Sequence, residues 1–182
     1  MHILIIYATV EGQTRKIARA MEDHLQSLGH AVSCCNAIDA PPSPENFDLV
    51  LLGGSVHIGH YATALKHYIL ANKAAIEARP NAFFSVCLHI LSGEPKAMEE
   101  AMDITRQFTD ACQWTPKRIE QIAGALKYVE YDFFKRFMMK QIVKREGGST
   151  DTTQDHEYTD WARVILFCDE MVALAEKGVG VK

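Results

Sequence analysis

The amino-acid sequence predicts an α/β fold, a parallel sheet covered by helices on both faces. Three observations predict it. Short apolar runs alternate with amphipathic stretches along the chain, the pattern of repeated βα units. The first run, HILIIY at 2–7, is β-branched and apolar on both faces, as a strand buried from both sides must be. A loop with one glycine, YATVEGQT at 7–14, then joins that run to a helical stripe.

The elements follow in order. Residues 13–28 put Ile17, Ala18, Met21, Leu25 and Leu28 on one stripe, with Arg15, Lys16, Arg19 and Glu22 outside it, and Gly29 ends the helix. AVSCCN (31–36) is a second strand. APPSPENF (40–47) is a loop, because its prolines deny both helix and ladder. FDLVLLGGS (47–55) is a third strand and 62–78 a helix. NAFFSVCLHI (81–90) is a fourth strand, 95–113 a helix and RIEQIAGALKY (118–128) a fifth strand. The last helix starts near Thr159, read as its N-cap, and runs to about Glu176. Crossovers between parallel strands are right-handed, so the loops leaving the carboxyl ends gather on one edge, where ligands of such sheets bind.

With 182 residues, 48% hydrophobic and 23% charged, the chain suits one domain with a full core. A net charge of -4 argues against nucleic acid as the main partner. It is also far milder than the acidity of a small carrier that docks by charge alone. Cysteines 34, 35, 87, 112 and 168 form no C-x-x-C pair, which fits a reducing compartment and core positions. No signal peptide is read at the start, and no apolar stretch approaches the ~18 residues of a membrane span. Attachment to a membrane surface stays open.

The loop at 7–14 has no lysine. Thr9, Gln13 and Thr14 offer side-chain donors, and the first turn of the next helix offers free N–H groups. Together they suit a phosphate; the plainer alternative is a βα turn with a capping threonine. Two nucleotide motifs fail. GSVHIGHY (54–61) has P-loop glycine spacing but His60 where the lysine belongs, and no G-x-G-x-x-G follows the first strand.

T-x-x-G-x-T after a first strand resembles the phosphate loop of flavodoxins, which bind FMN. GQTRKIA, GGSVHIGHY, QWTPKRIEQIAGALKY, FFKRFMMKQIVKREGGSTDT and YTDW resemble the menaquinone-dependent protoporphyrinogen oxidase family, flavodoxin-like bacterial enzymes of haem biosynthesis. The resemblance covers nearly the whole chain. It implies a flavodoxin-like, doubly wound five-stranded parallel sheet in the order 2-1-3-4-5. It also implies that Thr9, Gly12, Gln13 and Thr14 hold the FMN phosphate. Val10 and Glu11 stand where many flavodoxins have threonines, and the Glu11 carboxylate is expected to point to water. Ser55, His57, Gly59, His60 and Tyr61 belong to a second flavin loop, and Leu88, His89, Ser92 and Gly93 to a third.

Those two loops offer His57, His60, Tyr61 and His89 but no tryptophan. A thinly covered ring suits a large planar substrate or a quinone better than outer-sphere electron transfer. His57 and His60 have tolerable metal spacing, but no cysteine or carboxylate cluster supplies further ligands, so no metal is expected. No nucleophile stands beside a base, and flavin chemistry needs none.

Residues 128–157 exceed the usual connection of roughly 2–6 residues. Within 127–146, Lys127, Lys135, Arg136, Lys140, Lys144 and Arg145 are interleaved with aromatics, and Tyr131, Phe134, Met138 and Ile142 share a helical stripe. Three readings compete: a helix packed on the body, a membrane-surface helix, or a wall of the substrate site. In the last two, Lys127, Tyr131, Phe134, Lys135, Arg136, Phe137 and Met138 meet lipid or the porphyrinogen, its propionates pairing with the cations.

The activity that the resemblance implies is oxidation of protoporphyrinogen IX to protoporphyrin IX through FMN, with electrons passed to a membrane quinone (menaquinone or ubiquinone). The implied location is cytoplasmic, on the inner face of the cell membrane, and a homo-oligomer is compatible with the sequence. The alternatives are an FMN-dependent NAD(P)H:quinone reductase and a non-enzymatic flavodoxin-type electron carrier.

Overall fold

The structure, a computed structural model, describes residues 1–126, 143–144, 148–149, 151 and 154–179. Its elements are β1 (His2–Ala8), α1 (Gln13–Ser27), β2 (Ala31–Asn36), β3 (Leu49–Ser55), α2 (Thr63–Glu77), β4 (Asn81–Cys87), α3 (Pro95–Ala111), β5 (Ile119–Ala123), β6 (Ala125–Leu126), β7 (His156–Glu157) and α4 (Trp161–Val179). Five strands form a parallel sheet in the order β2-β1-β3-β4-β5.

β1 explains its own apolar run. Ile3, Ile5 and Tyr7 face a core shared with Ile17, Met21 and Leu25 of α1 and Phe167 and Met171 of α4. Leu4, Ile6 and Ala8 face the other core, with Leu65 and Ile69 of α2 and Trp114 beyond α3. Successive side chains point to opposite faces, so a strand covered on both sides must be apolar at every position. Each such Leu, Ile or Phe contributes about 1.5–3 kcal/mol when fully buried.

The two glycines of β3 serve one face each. A Cβ on Gly53 would stand 2.1 Å from the ring of Phe84, its register partner on β4. A Cβ on Gly54 would stand 3.0 Å from Tyr61 and 3.1 Å from Leu65. The pair therefore leaves room for an aromatic ring on each side of the sheet.

Three boundaries differ from expectation. β4 ends at Cys87 rather than residue 90, because Leu88 turns helical and His89–Ser92 forms a 3-10 turn closed by Leu91 N–H to the Leu88 carbonyl. The fifth strand stops at Ala123. After Gly124 the chain leaves the sheet, and Ala125 and Leu126 pair antiparallel with Glu157 and His156. The cap of α4 is Asp160, whose carboxylate accepts the Arg163 N–H at 3.0 Å. Thr159, expected in that role, is buried and donates instead to the Ala123 carbonyl at 2.8 Å.

α4 is fixed to the sheet edge by charge as well as packing. Arg163 donates twice to the buried Glu120 of β5, at 2.7 and 2.6 Å, and reaches Glu170 at 3.2 Å. Arg118 joins the same carboxylates at 3.3 and 3.0 Å. The hydrogen bonds to Glu120, then those to Glu170, hold the Arg163 guanidinium above its ordinary range.

Candidate functional site

β1, β3 and β4 run side by side and parallel, so the loops that follow them meet at one edge. Between β1 and β3 the chain switches direction across the sheet, since β2 lies on the far side of β1. A crevice forms at such a switch.

The loop after β1 is shaped for an anion. Gly12 takes φ +92°, a left-handed conformation that glycine adopts at no steric cost. Its N–H donates to Thr9 Oγ1 at 2.9 Å, closing the loop and leaving the threonine hydroxyl hydrogen free to point elsewhere. The Lys16 N–H makes the first bond of α1, to the Gly12 carbonyl at 3.0 Å, so the N–H groups of Gln13, Thr14 and Arg15 have no helical acceptor. No acid occupies the first turn. Thr14 is fully buried, and its Oγ1 has no hydrogen-bond partner. An orphaned buried hydroxyl costs about 1–3 kcal/mol. It is the mark of a missing acceptor, and a phosphate at the head of α1 supplies one. The residues present thus fit the phosphate of FMN.

Val10 is exposed at 57% and Glu11 is half-buried. Gln13 differs from expectation. Its side chain is buried and turned away, with Nε2 donating to Thr159 Oγ1 at 2.9 Å. It also bonds to Glu157. A buried amide must find partners, and α1 offers them on its α4 side. Only its backbone N–H remains for the loop.

The loop after β3 is a tight reversal. His57 and His60 exchange backbone hydrogen bonds at 2.8 and 3.1 Å. Ile58 (φ +49°) and Gly59 (φ +74°) form the tip, the two positive dihedrals of a type I′ turn. Ile58 is a β-branched residue in a conformation that such residues avoid, and it is 86% exposed. Sequence reasoning passed over it; an isoleucine before a glycine between two polar residues was the available signal.

Tyr61 corrects a second expectation. It is not a rim aromatic: its ring packs against Phe83 and Phe108, with centroids 5.2 and 4.6 Å away. Its hydroxyl donates to Ser85 at 2.7 Å and lies 2.8 Å from Thr105 Oγ1. Burial pushes that hydroxyl up to about 12. The space left by Gly54 is what admits the ring.

In the loop after β4, Leu88 and His89–Ser92 are half-buried and Gly93 closes the turn at φ +67°. Ser92 Oγ accepts the Glu94 N–H at 3.3 Å. Ser55 ends β3 half-buried beside this loop, and Val56 N–H bonds to the Val86 carbonyl at 2.9 Å.

Behind the first loop stands a cluster that the sequence did not announce. Glu157 of β7 pairs with Lys16 and accepts Trp161 Nε1–H at 2.8 Å, while Lys16 Nζ lies 5.2 Å from the centre of the Trp161 ring. The hydrogen bond to Lys16, chiefly, holds the Glu157 carboxyl below its usual range. Burial pushes the Cys34 and Cys168 thiols up to about 12 and that of Cys112 up to about 11, so they stay protonated near neutral pH. Lys127, Tyr131, Phe134, Lys135, Arg136, Phe137 and Met138 lie outside the described residues.

Comparison with known proteins agrees with this fold. The flavodoxin domain family matches residues 4–153. The chain is 37% identical to the protoporphyrinogen IX dehydrogenase (quinone) of Escherichia coli K12, over 97% of this chain and 98% of that protein. It is 32% identical to the enzyme of the same name from Leishmania major, over 94% of this chain and 74% of that protein. Among solved structures, oxidised flavodoxin 1 from Bacillus cereus superposes with a TM-score of 0.57 at 15% identity, covering 95% of this chain and 98% of that one.

Proposed function

The chain belongs to the flavodoxin domain family, and on that premise we propose that it oxidises protoporphyrinogen IX to protoporphyrin IX, with FMN as cofactor and a quinone as electron acceptor. The observation that carries this reading is the identity of 37% running through 97% of the chain, past β5 and into the residues beyond the sheet. Likeness to flavodoxins alone would serve an electron carrier equally well.

FMN, when bound, supplies the two-electron chemistry, accepting electron pairs from the porphyrinogen and releasing them to the quinone. The protein's part is position. The orphaned Thr14 hydroxyl, the Thr9 hydroxyl and the N–H groups that open α1 would hold the phosphate, with Gly12 letting the backbone approach. Val10 and Glu11 would form the outer rim of that cradle. Ser55, His57, Gly59 and His60 would flank the ring on one side, and Leu88, His89, Ser92 and Gly93 on the other. With Tyr61 committed to the core, the ring-bearing side chains left in these two loops are histidines. That would leave the face of a bound flavin open to a planar macrocycle.

No helix among the described residues is long and apolar enough to cross a membrane. The carboxyl edge nevertheless carries three exposed aliphatics, Val10, Ile38 and Ile58, on the loops after β1, β2 and β3. This edge is the one we propose meets the bilayer that holds the quinone, together with the basic and aromatic residues Lys127, Tyr131, Phe134, Lys135, Arg136, Phe137 and Met138.

Anaerobic stopped-flow mixing of the FMN-loaded protein with protoporphyrinogen IX tests the activity. Loss of the oxidised-flavin absorbance, and its return on adding menaquinone, are expected. Reduction by NAD(P)H alone would instead make the protein a quinone reductase, and reduction only by a protein reductase a carrier. Co-flotation with anionic liposomes tests the membrane edge: Ile58→Gln should weaken it, and equal flotation of both proteins would remove Ile58 from that role.

A further inference from the structure

α1 opens with the wrong charge for its dipole. Its third and fourth residues are Arg15 and Lys16, and no acid stands in the first turn. A cation at a helix N-terminus is unfavourable by about 0.3–1 kcal/mol. Lys16 is compensated by Glu157, and Arg19, one turn later, by Glu22. Arg15 has no carboxylate partner among the described residues. It is exposed, yet its guanidinium does not extend outward along the helix: Nη2 lies 3.7 Å from where a Cβ on Gly12 would stand. The side chain folds back over the loop whose buried Thr14 hydroxyl lacks a partner. A groove open to solvent runs from Gly12 past Arg15, Lys16 and Arg19 to Asp23 and Trp161; its end at Gly12 and Arg15 is reachable by an anion, and its three cations outnumber its one acid.

We propose that Arg15 is the counter-charge of the cofactor, its guanidinium closing over the phosphate held between Thr9 and Thr14 and setting a preference for FMN over riboflavin. The proposal rests on the reading that this site takes FMN. A guanidinium presents two parallel N–H groups to phosphate oxygens, a stronger match than neutral donors make. It also accounts for a cation retained where the helix alone disfavours one.

Titration of the apoprotein with FMN and with riboflavin, followed by quenching of flavin fluorescence, separates the possibilities. Arg15→Gln should weaken FMN about tenfold, the size of a charge-assisted hydrogen bond, and leave riboflavin unchanged. It should flatten the salt dependence of FMN binding. Arg15→Lys should recover part of the loss. The apoprotein of Arg15→Gln should melt no lower than the parent, since the dipole mismatch is gone. An FMN-to-riboflavin ratio the same in Arg15→Gln as in the parent overturns the proposal, as does an equal loss of both ligands. If the parent binds neither flavin, the FMN reading itself fails, and that result is distinct from the first two.

Discussion

The side-chain amide of Gln13 donates to the hydroxyl of Thr159 at 2.9 Å, and that hydroxyl donates in turn to the Ala123 carbonyl at 2.8 Å. Two hydrogen bonds thus join the head of α1, the end of β5 and the approach to α4, which are far apart in the chain. The loop after β1 is braced from behind by residues that share no sequence motif with it. Gln13→Leu and Thr159→Val should each cost about 1–3 kcal/mol in urea unfolding, the penalty of orphaned buried groups. The double variant should lose less than the sum of the two, and strict additivity would show that the two residues are not coupled.

Thr14→Val separates stability from binding. The substitution keeps the shape and removes a hydroxyl with no partner in the protein. Thermal melting of the apoprotein should be unchanged or slightly higher, while FMN affinity falls about tenfold, the order of one hydrogen bond to a charged group. A variant that melts lower and binds FMN normally would mean that the hydroxyl serves the fold and not the ligand.

Glu157 gives part of the acid limb of stability. Its carboxyl is held below the ordinary value of 4.5, first by the hydrogen bond from Lys16. A group with a lowered folded pKa contributes above its unfolded value and loses that contribution as pH falls through the folded one. Melting temperature measured from pH 6 to pH 3 should therefore fall less steeply below about pH 4.5 in Glu157→Gln than in the parent. Parallel curves would remove Glu157 from the acid response.

Gly53→Ala should be among the most damaging single methyl additions in the sheet. The new Cβ would meet the Phe84 ring at 2.1 Å, and both residues are buried between paired strands. Overpacking of this kind costs about 1–3 kcal/mol, read from the urea midpoint. Phe84→Leu in the same chain should recover part of the loss. If Gly53→Ala alone matches the parent, the tight fit across that register is not real.

The strands were legible because burial on both faces leaves a continuous apolar run, as in Ile3 to Ile6. The tight loop after β1 was legible because T-x-x-G-x-T places a glycine, which takes φ +92°, between two threonines just ahead of a helical stripe. Tyr61 was misread because a loop residue carries no periodicity. What places its ring is Gly54, a neighbour on the strand rather than a feature of the loop. Gln13 was half misread for a related reason: its backbone belongs to the loop, while its amide answers to Thr159, whose approach depends on tertiary packing. The fifth strand ran too long on paper because Ala125 and Leu126 are extended in both arrangements; only pairing with His156 and Glu157 shows that they have left the sheet. Ile58 went unnoticed and Arg15 reads only as a solvent-face residue of the first helix, because what singles them out is a dihedral angle and a direction of folding back, neither of which composition encodes.

The antiparallel pairing of β6 with β7 has an architectural consequence. The chain departs at Leu126 and re-enters at His156 on adjacent positions, so whatever lies between is an excursion whose two ends are already clasped. The strand order of the five-stranded core closes without it, while Val143, fully buried, and Gly148, beside Leu91, seat part of it against the body. A framework wired in this way can exchange one excursion for another, by recombination or by design, without renegotiating its strand order, provided the newcomer repacks where Val143 and Gly148 meet the body.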